Sequence, residues 1–62
     1  MEYLMVKSAE ENDVIIDGVE NGRTNELIIL SPGCVEVCVG DCEPVVVDVE
    51  DTTEDTPLIV EV

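Results

Sequence analysis

The run CVEVCVGDCEPVVVDVE, residues 34–50, limits what this chain can fold into more than any other segment. Its first part, CVEVCV, alternates strictly, which is the period of a strand with one buried face. After a short GDCEP loop comes VVVDVE. Folding the second run back so that Val39 faces Val45 sets Val37 against Val47 and Val35 against Val49. All six valines then share one face. The other face carries Cys34, Glu36 and Cys38 against Glu50, Asp48 and Val46. A slip of one residue would send every valine to the wrong side, so a hairpin over 34–50 is expected.

A second hairpin is expected over 14–30. Asn21-Gly22 is a two-residue turn signal, because a type I′ turn needs positive φ at both central residues. With that turn Glu20 faces Arg23, Ile16 faces Leu27, Ile15 faces Ile28 and Val14 faces Ile29. The same register sets Asp17 against Glu26, a like-charge pair, and Asp17-Gly18 is a rival turn. A longer loop across 17–25 is the alternative. Residues 14–16 and 27–30 are apolar on both faces, and one small sheet cannot cover both.

The remaining strands are shorter. In EYLMVK, residues 2–7, Leu4 and Val6 fall on one face, Tyr3 and Met5 on the other. Ser8 and Glu11 have capping-box spacing, which allows one helical turn or a polar turn over 8–13. Ser31-Pro32-Gly33 is punctuation. DTTEDTP, residues 51–57, is an acidic linker, and LIVEV, residues 58–62, is a terminal strand that can close its own sheet or pair with another subunit. The expected fold is therefore all-β: one domain over 1–62, a small sandwich or barrel of five to six short antiparallel strands.

Charge works against such a fold. Sixteen acidic residues face two basic ones, Lys7 and Arg23, for a net charge of -14. That self-repulsion opposes compaction. The apolar complement is twelve valines, five isoleucines and four leucines, with Tyr3 the one aromatic residue. Chains this small with thin cores rely on disulfides, metals or neighbours. The valine and isoleucine runs argue for an ordered chain that gains stability from a partner. No apolar run approaches the roughly 18–20 residues that span a bilayer. The MEYLMVK start has neither part of a secretion signal. An odd cysteine count then suits a reducing setting, the cytoplasm or a virion. The anionic surface repels nucleic acid and anionic membranes.

Cys34, Cys38 and Cys42 have metal-ligand spacing on paper. On a strand, residues four apart lie about 13 Å from one another. Two thiolates on one zinc lie no more than about 4.6 Å apart, and a disulfide needs Cα atoms within about 7 Å. The thiols therefore read as small, half-buried apolar residues, with Cys42 as a loop thiol or a neighbour of Cys38. No metal and no cofactor is expected. The carboxylates of 48–55 lack the Gly and Glu positions of an EF-hand loop and read as a solvated linker. Catalysis has little to build on, with no histidine and only Ser8 and Ser31 as hydroxyl nucleophiles beside the threonines. Acidic neighbours raise a thiol's pKa, and a cleft without aromatic lining is not expected in so short a chain. The chain reads as a non-enzyme.

Two function classes remain. One is a structural or interaction subunit that binds or decorates a larger protein assembly, a viral particle being one setting, or that forms a homo-oligomer. The other is a soluble mimic of nucleic acid whose carboxylates occupy a basic DNA- or RNA-binding groove. Candidate partner-binding residues are Ile15, Ile28, Leu58 and Val60 for the first, and Asp48, Glu50 and Asp51 for the second.

Overall fold

The computed structural model describes residues 1–40 and 43–62. The fold is all-β, with two sheets packed on one aliphatic core. The strands are β1 (Glu2–Lys7), β2 (Asp13–Ile16), β3 (Val19–Arg23), β4 (Leu27–Leu30), β5 (Gly33–Val39), β6 (Val45–Val49) and β7 (Leu58–Glu61). One sheet has three strands in the order β4-β1-β7, the other four in the order β3-β2-β5-β6. Seven strands replace the expected five to six because 14–30 makes three rather than two.

Alternation decides what each strand buries. Leu4 and Val6 of β1 share a face, as their spacing predicts, and that face is the buried one, while Tyr3 and Met5 face outward and are half-covered. Ile28 of β4 joins them from the same sheet. Val14 and Ile16 of β2 and Val37 and Val39 of β5 meet them from the other sheet. Leu30, Val35, Val47, Leu58 and Val60 pack around this cluster.

The hairpin expected over 14–30 does not form with Asn21-Gly22 at its tip. The tight turn is the rival, Asp17-Gly18, and Ile16 pairs with Val19 across it. Both central residues have positive φ, 51° and 82°, as a type I′ turn requires. Two effects favour it. The Asp17–Glu26 repulsion disappears, and Asp17 is tied to β5 instead: its N–H donates to the Glu36 carbonyl and its Oδ1 accepts from the Glu36 N–H, both at 2.9 Å. Residues 27–30 are then free to cross to the other sheet, where β4 pairs antiparallel with β1.

Asn21-Gly22 lies inside β3, where two residues oppose Val14 alone between the Asp13–Arg23 and Ile15–Glu20 pairs. That is a β-bulge, and Gly22 takes φ 94° there. A Cβ on Gly22 would stand 2.9 Å from Ile28 Cγ1. The glycine read from the sequence as a turn residue is a bulge residue over which the opposite sheet packs.

The 34–50 hairpin forms, with a register two residues from the expected one. Val37 faces Val45, Val35 faces Val47, and Gly33 faces Val49. Val39 pairs with Val14 of β2 instead. An even slip keeps every valine on the same face, so face alternation cannot separate the two registers. The observed one also sets Glu36 against Val46 and Asp48 against Cys34, which removes the like-charge pair of Glu36 with Asp48. Part of the loop, including Cys42, lies outside the described residues.

β7 pairs parallel with β1, Leu4 with Leu58 through Lys7 with Glu61. It closes the chain's own sheet, so the strands are not all antiparallel. No helix forms over 8–13. Ser8 Oγ accepts from the Glu10 N–H at 3.3 Å in a polar turn. The two loops that cross between sheets after β1 and after β3 are stitched by buried Thr24. Its Oγ1 accepts from Asn12 N–H at 2.9 Å and donates to the Glu10 carbonyl at 3.1 Å. Asn25, at φ 63°, sends its N–H to the Val6 carbonyl, and its side chain pairs with both Ser8 backbone groups.

Two substitution series test this architecture by urea denaturation. Gly18→Ala carries only the strain of positive φ, about 1–2 kcal/mol, since nothing lies within 4 Å of the new methyl. Gly22→Ala carries similar strain plus the Ile28 clash, a further ~1–3 kcal/mol, so its midpoint falls further. Equal losses would place no sheet over Gly22. Thr24→Val keeps the shape and leaves the Asn12 N–H without its acceptor, for an expected loss of about 1–3 kcal/mol.

Candidate functional site

The core uses one face of each sheet, and the two outer faces differ. The outer face of the four-stranded sheet is mixed: Ile15 beside Cys38, Glu36 beside Val46, and Cys34 beside Asp48. The outer face of the three-stranded sheet is apolar through its centre. Register places Leu27, Met5 and Ile59 side by side across all three strands, with Ile29 next to Tyr3 in the following row. Ile29 is 51% exposed, Ile59 42% and Leu27 36%, whereas Ile28 between its two neighbours on β4 is 3% exposed. The sequence made 27–30 apolar on both faces, and the fold consumes only one of them.

This face has acidic borders. Glu26 precedes Leu27 on one side, and Glu61, level with Lys7, closes the far end of β7. At the start of β1 the linker is fastened down. Glu2 Oε1 accepts from the Thr52 N–H at 2.8 Å and from its hydroxyl at 2.7 Å. Thr52 Oγ1 in turn accepts from the Tyr3 N–H at 2.7 Å. The clasp holds the exposed carboxylates Glu50 and Asp51 at the Tyr3 end of the sheet. Beyond it, Thr53 and Thr56 close a turn with reciprocal backbone bonds and a hydroxyl contact of 2.6 Å. Glu54 and Asp55 lie exposed within that turn.

The seven candidate residues read from the sequence do not assemble into one surface. Ile28 is core, and Leu58 and Val60, partly buried on the edge strand β7, pack inward against that core. The outward residues of the same strands are Leu27, Ile29 and Ile59. Ile15 is half-buried on the other sheet's outer face, and Asp48 is exposed there. Glu50 and Asp51 flank Thr52, which is bonded to Glu2 and Tyr3, so they lie exposed at that end of the three-stranded sheet. Alternation groups Tyr3 with Met5, but only the sheet packing makes theirs the outward face. For Leu27, Ile29 and Ile59 the signal needed the strand partners as well. The Glu2–Thr52 clasp spans fifty residues and has no sequence signature.

Other chemistry is sparse. Among the described residues no group of three or more His, Cys, Asp or Glu is placed to hold a metal. Cys34 is exposed and Cys38 half-buried, four apart on β5. An open depression lined by Lys7, Ser8, Asn25 and Glu61 gathers one lysine and one carboxylate without enclosing them. Among the described residues no helix is long and apolar enough to cross a membrane. Arg23 lies 3.4 Å from a Glu11 oxygen and 3.8 Å from an Asp13 oxygen. No protein-family model matches the chain, and neither does any curated protein or solved structure.

The two Thr52 bonds, backbone first, hold the Glu2 carboxyl below its ordinary value of 4.5. A carboxylate depressed in the folded state stabilises fully above its unfolded pKa, and that contribution is lost as pH falls through the folded value. Wild type should therefore exceed Glu2→Gln in urea midpoint at neutral pH. The difference should shrink as pH falls below about 4.5 and be lost once the carboxyl is protonated in the folded state as well. A difference independent of pH would mean that the Glu2 charge takes no part in the clasp.

Proposed function

We propose that this chain is a non-enzymatic interaction module, a small acidic β-sandwich that attaches to a larger protein assembly, with a viral particle as one such setting. The observation that carries this reading is the outward apolar face of Tyr3, Met5, Leu27, Ile29 and Ile59. A chain with 16 acidic side chains in 62 residues has ample polar material to cover a sheet. On this sheet it covers only the borders. Apolar patches larger than a few hundred Å² mark interaction sites, and this face can form the centre of such a site.

A second reading, the nucleic-acid mimic, draws on Arg23. Of only two basic side chains, this one is already paired with Glu11 and Asp13, which leaves the surface field almost wholly anionic. A mimic would bind through carboxylates such as Asp48, Glu50 and Asp51.

Gradient sedimentation of the tagged full chain from its native host separates these readings. Wild type should travel with a high-mass protein assembly. Ile29→Asp with Ile59→Asp, both at exposed positions and checked for folding by circular dichroism, should return it to the top of the gradient. Asp48→Asn, Glu50→Gln and Asp51→Asn together should leave most of it with the assembly. The reverse pattern would establish the mimic, and a wild-type chain that always sediments alone would end the interaction reading.

A further inference from the structure

The acidic borders and the small extent of the apolar face together specify what covers it. We infer that the outer face of the β4-β1-β7 sheet docks on a basic protein surface, one with an apolar centre bordered by Lys or Arg, and not on a second copy of this chain. The inference rests on the interaction reading above and adds the partner's chemistry.

Area makes the borders part of any interface, and charge then argues against self-pairing. Three strands about 4.8 Å apart, with four paired residues at about 3.3 Å rise, project a face of roughly 200 Å². A stable protein interface takes about 800 Å² from each partner. The apolar face can therefore be only the centre of a larger footprint, and the footprint must extend over its borders. The exposed carboxylates at the ends of this sheet are Glu26 and Glu61 at one, and Glu50, Asp51, Glu54 and Asp55 of the linker at the other, against Lys7 beside Glu61 and the N-terminal ammonium near Glu2. A two-fold pair would press these carboxylates together between two chains that each carry -14. Like charges set against one another at an interface act against binding, whereas opposite potentials fix register and partner.

The clasp makes this border part of the surface. The linker is bonded through Thr52 to both Glu2 and Tyr3, so its exposed carboxylates are tethered to the Tyr3 end of the sheet. A basic partner then meets apolar and anionic groups in fixed positions. Nucleic acid lacks the complementary charge, and an anionic bilayer is repelled by the same border.

Three short peptides of equal length serve as probes for nuclear magnetic resonance titration of the full chain under reducing conditions. One alternates Leu with Lys, one Leu with Glu, and one Ser with Lys. The Leu/Lys peptide should bind saturably and shift the amides of Tyr3, Met5, Leu27, Ile29, Ile59 and residues 50–55. The other two should bind at least about tenfold more weakly, a difference readily resolved in Kd. Raising salt from about 50 to about 500 mM should weaken the Leu/Lys complex without abolishing it, since salt screens the border and leaves the apolar centre. Ile29→Asp with Ile59→Asp should remove binding.

Equal binding of Ser/Lys would overturn the inference in favour of charge alone, and equal binding of Leu/Glu would show that the border plays no part. The absence of saturable Leu/Lys binding, shifts centred on Cys34 and Asp48, or dimerisation of the free chain through this face would each overturn it too. Failure here with wild type still sedimenting on an assembly rejects the basic partner and leaves the interaction reading standing. A chain that sediments alone rejects that reading itself.

Discussion

Sheet-on-sheet packing of aliphatic side chains is what opposes a charge of -14 in this molecule. Leu4, Val6, Val14, Ile16, Ile28, Val37, Val39 and Val49 are the buried apolar residues, and none is aromatic. Each contributes modest area, so stability depends on all of them meeting across one interface. Neither sheet alone offers that. A three-stranded sheet has nothing to bury Leu4 and Val6 against until the four-stranded sheet brings Val14, Ile16, Val37 and Val39 over it. The fold is therefore committed to two layers, and the chain must cross between them after β1, β3, β4 and β6.

Each crossing exposes backbone polar groups that no ladder satisfies, and unpaired buried groups are costly. The chain answers with local polar side chains. Thr24 serves the first two crossings together by bonding Asn12 and Glu10, and Asn25 ties the same loops through Ser8. Thr52 fastens the last crossing to β1. Among the described residues, those other than glycine with positive φ are Asp17, Asn25 and Asp51, residue types that tolerate the left-handed region. The acidic excess is thus partly structural: Asp17 shapes the β2-β3 turn, and Glu2 holds the linker.

How much of this was legible follows from what a period of two can carry. Alternation states which residues share a face, so the grouping of Leu4 with Val6 and of Val37 with Val39 was readable from spacing alone, while in β1, apolar on both faces, it does not state which face is buried. It does not state which strand lies alongside. The two-residue slip in β5-β6 preserves every face and was invisible for that reason. A glycine with positive φ is demanded equally by a turn and by a bulge, so Asp17-Gly18 and Asn21-Gly22 could not be ranked by turn chemistry. What ranked them was tertiary. The Asp17 bonds to Glu36 and the departure of β4 to the other sheet required strand neighbours that the sequence leaves open.

The same limit governs the candidate site. Ile28 and Leu58 were chosen as apolar strand residues, and so they are, but pairing turned them inward and their neighbours Leu27, Ile29 and Ile59 outward. The choice of face is not neutral for the fold. With the inner set already buried, carboxylates at the outer positions would remove an exposed apolar patch at little cost to the core. The chain instead keeps apolar side chains in three adjacent outer strands and places its carboxylates around them. No packing within the described residues requires that arrangement. It matches the division of an interface into an apolar centre and a polar rim, and the Thr52 clasp ties the acidic linker to the start of β1 at one end of that sheet.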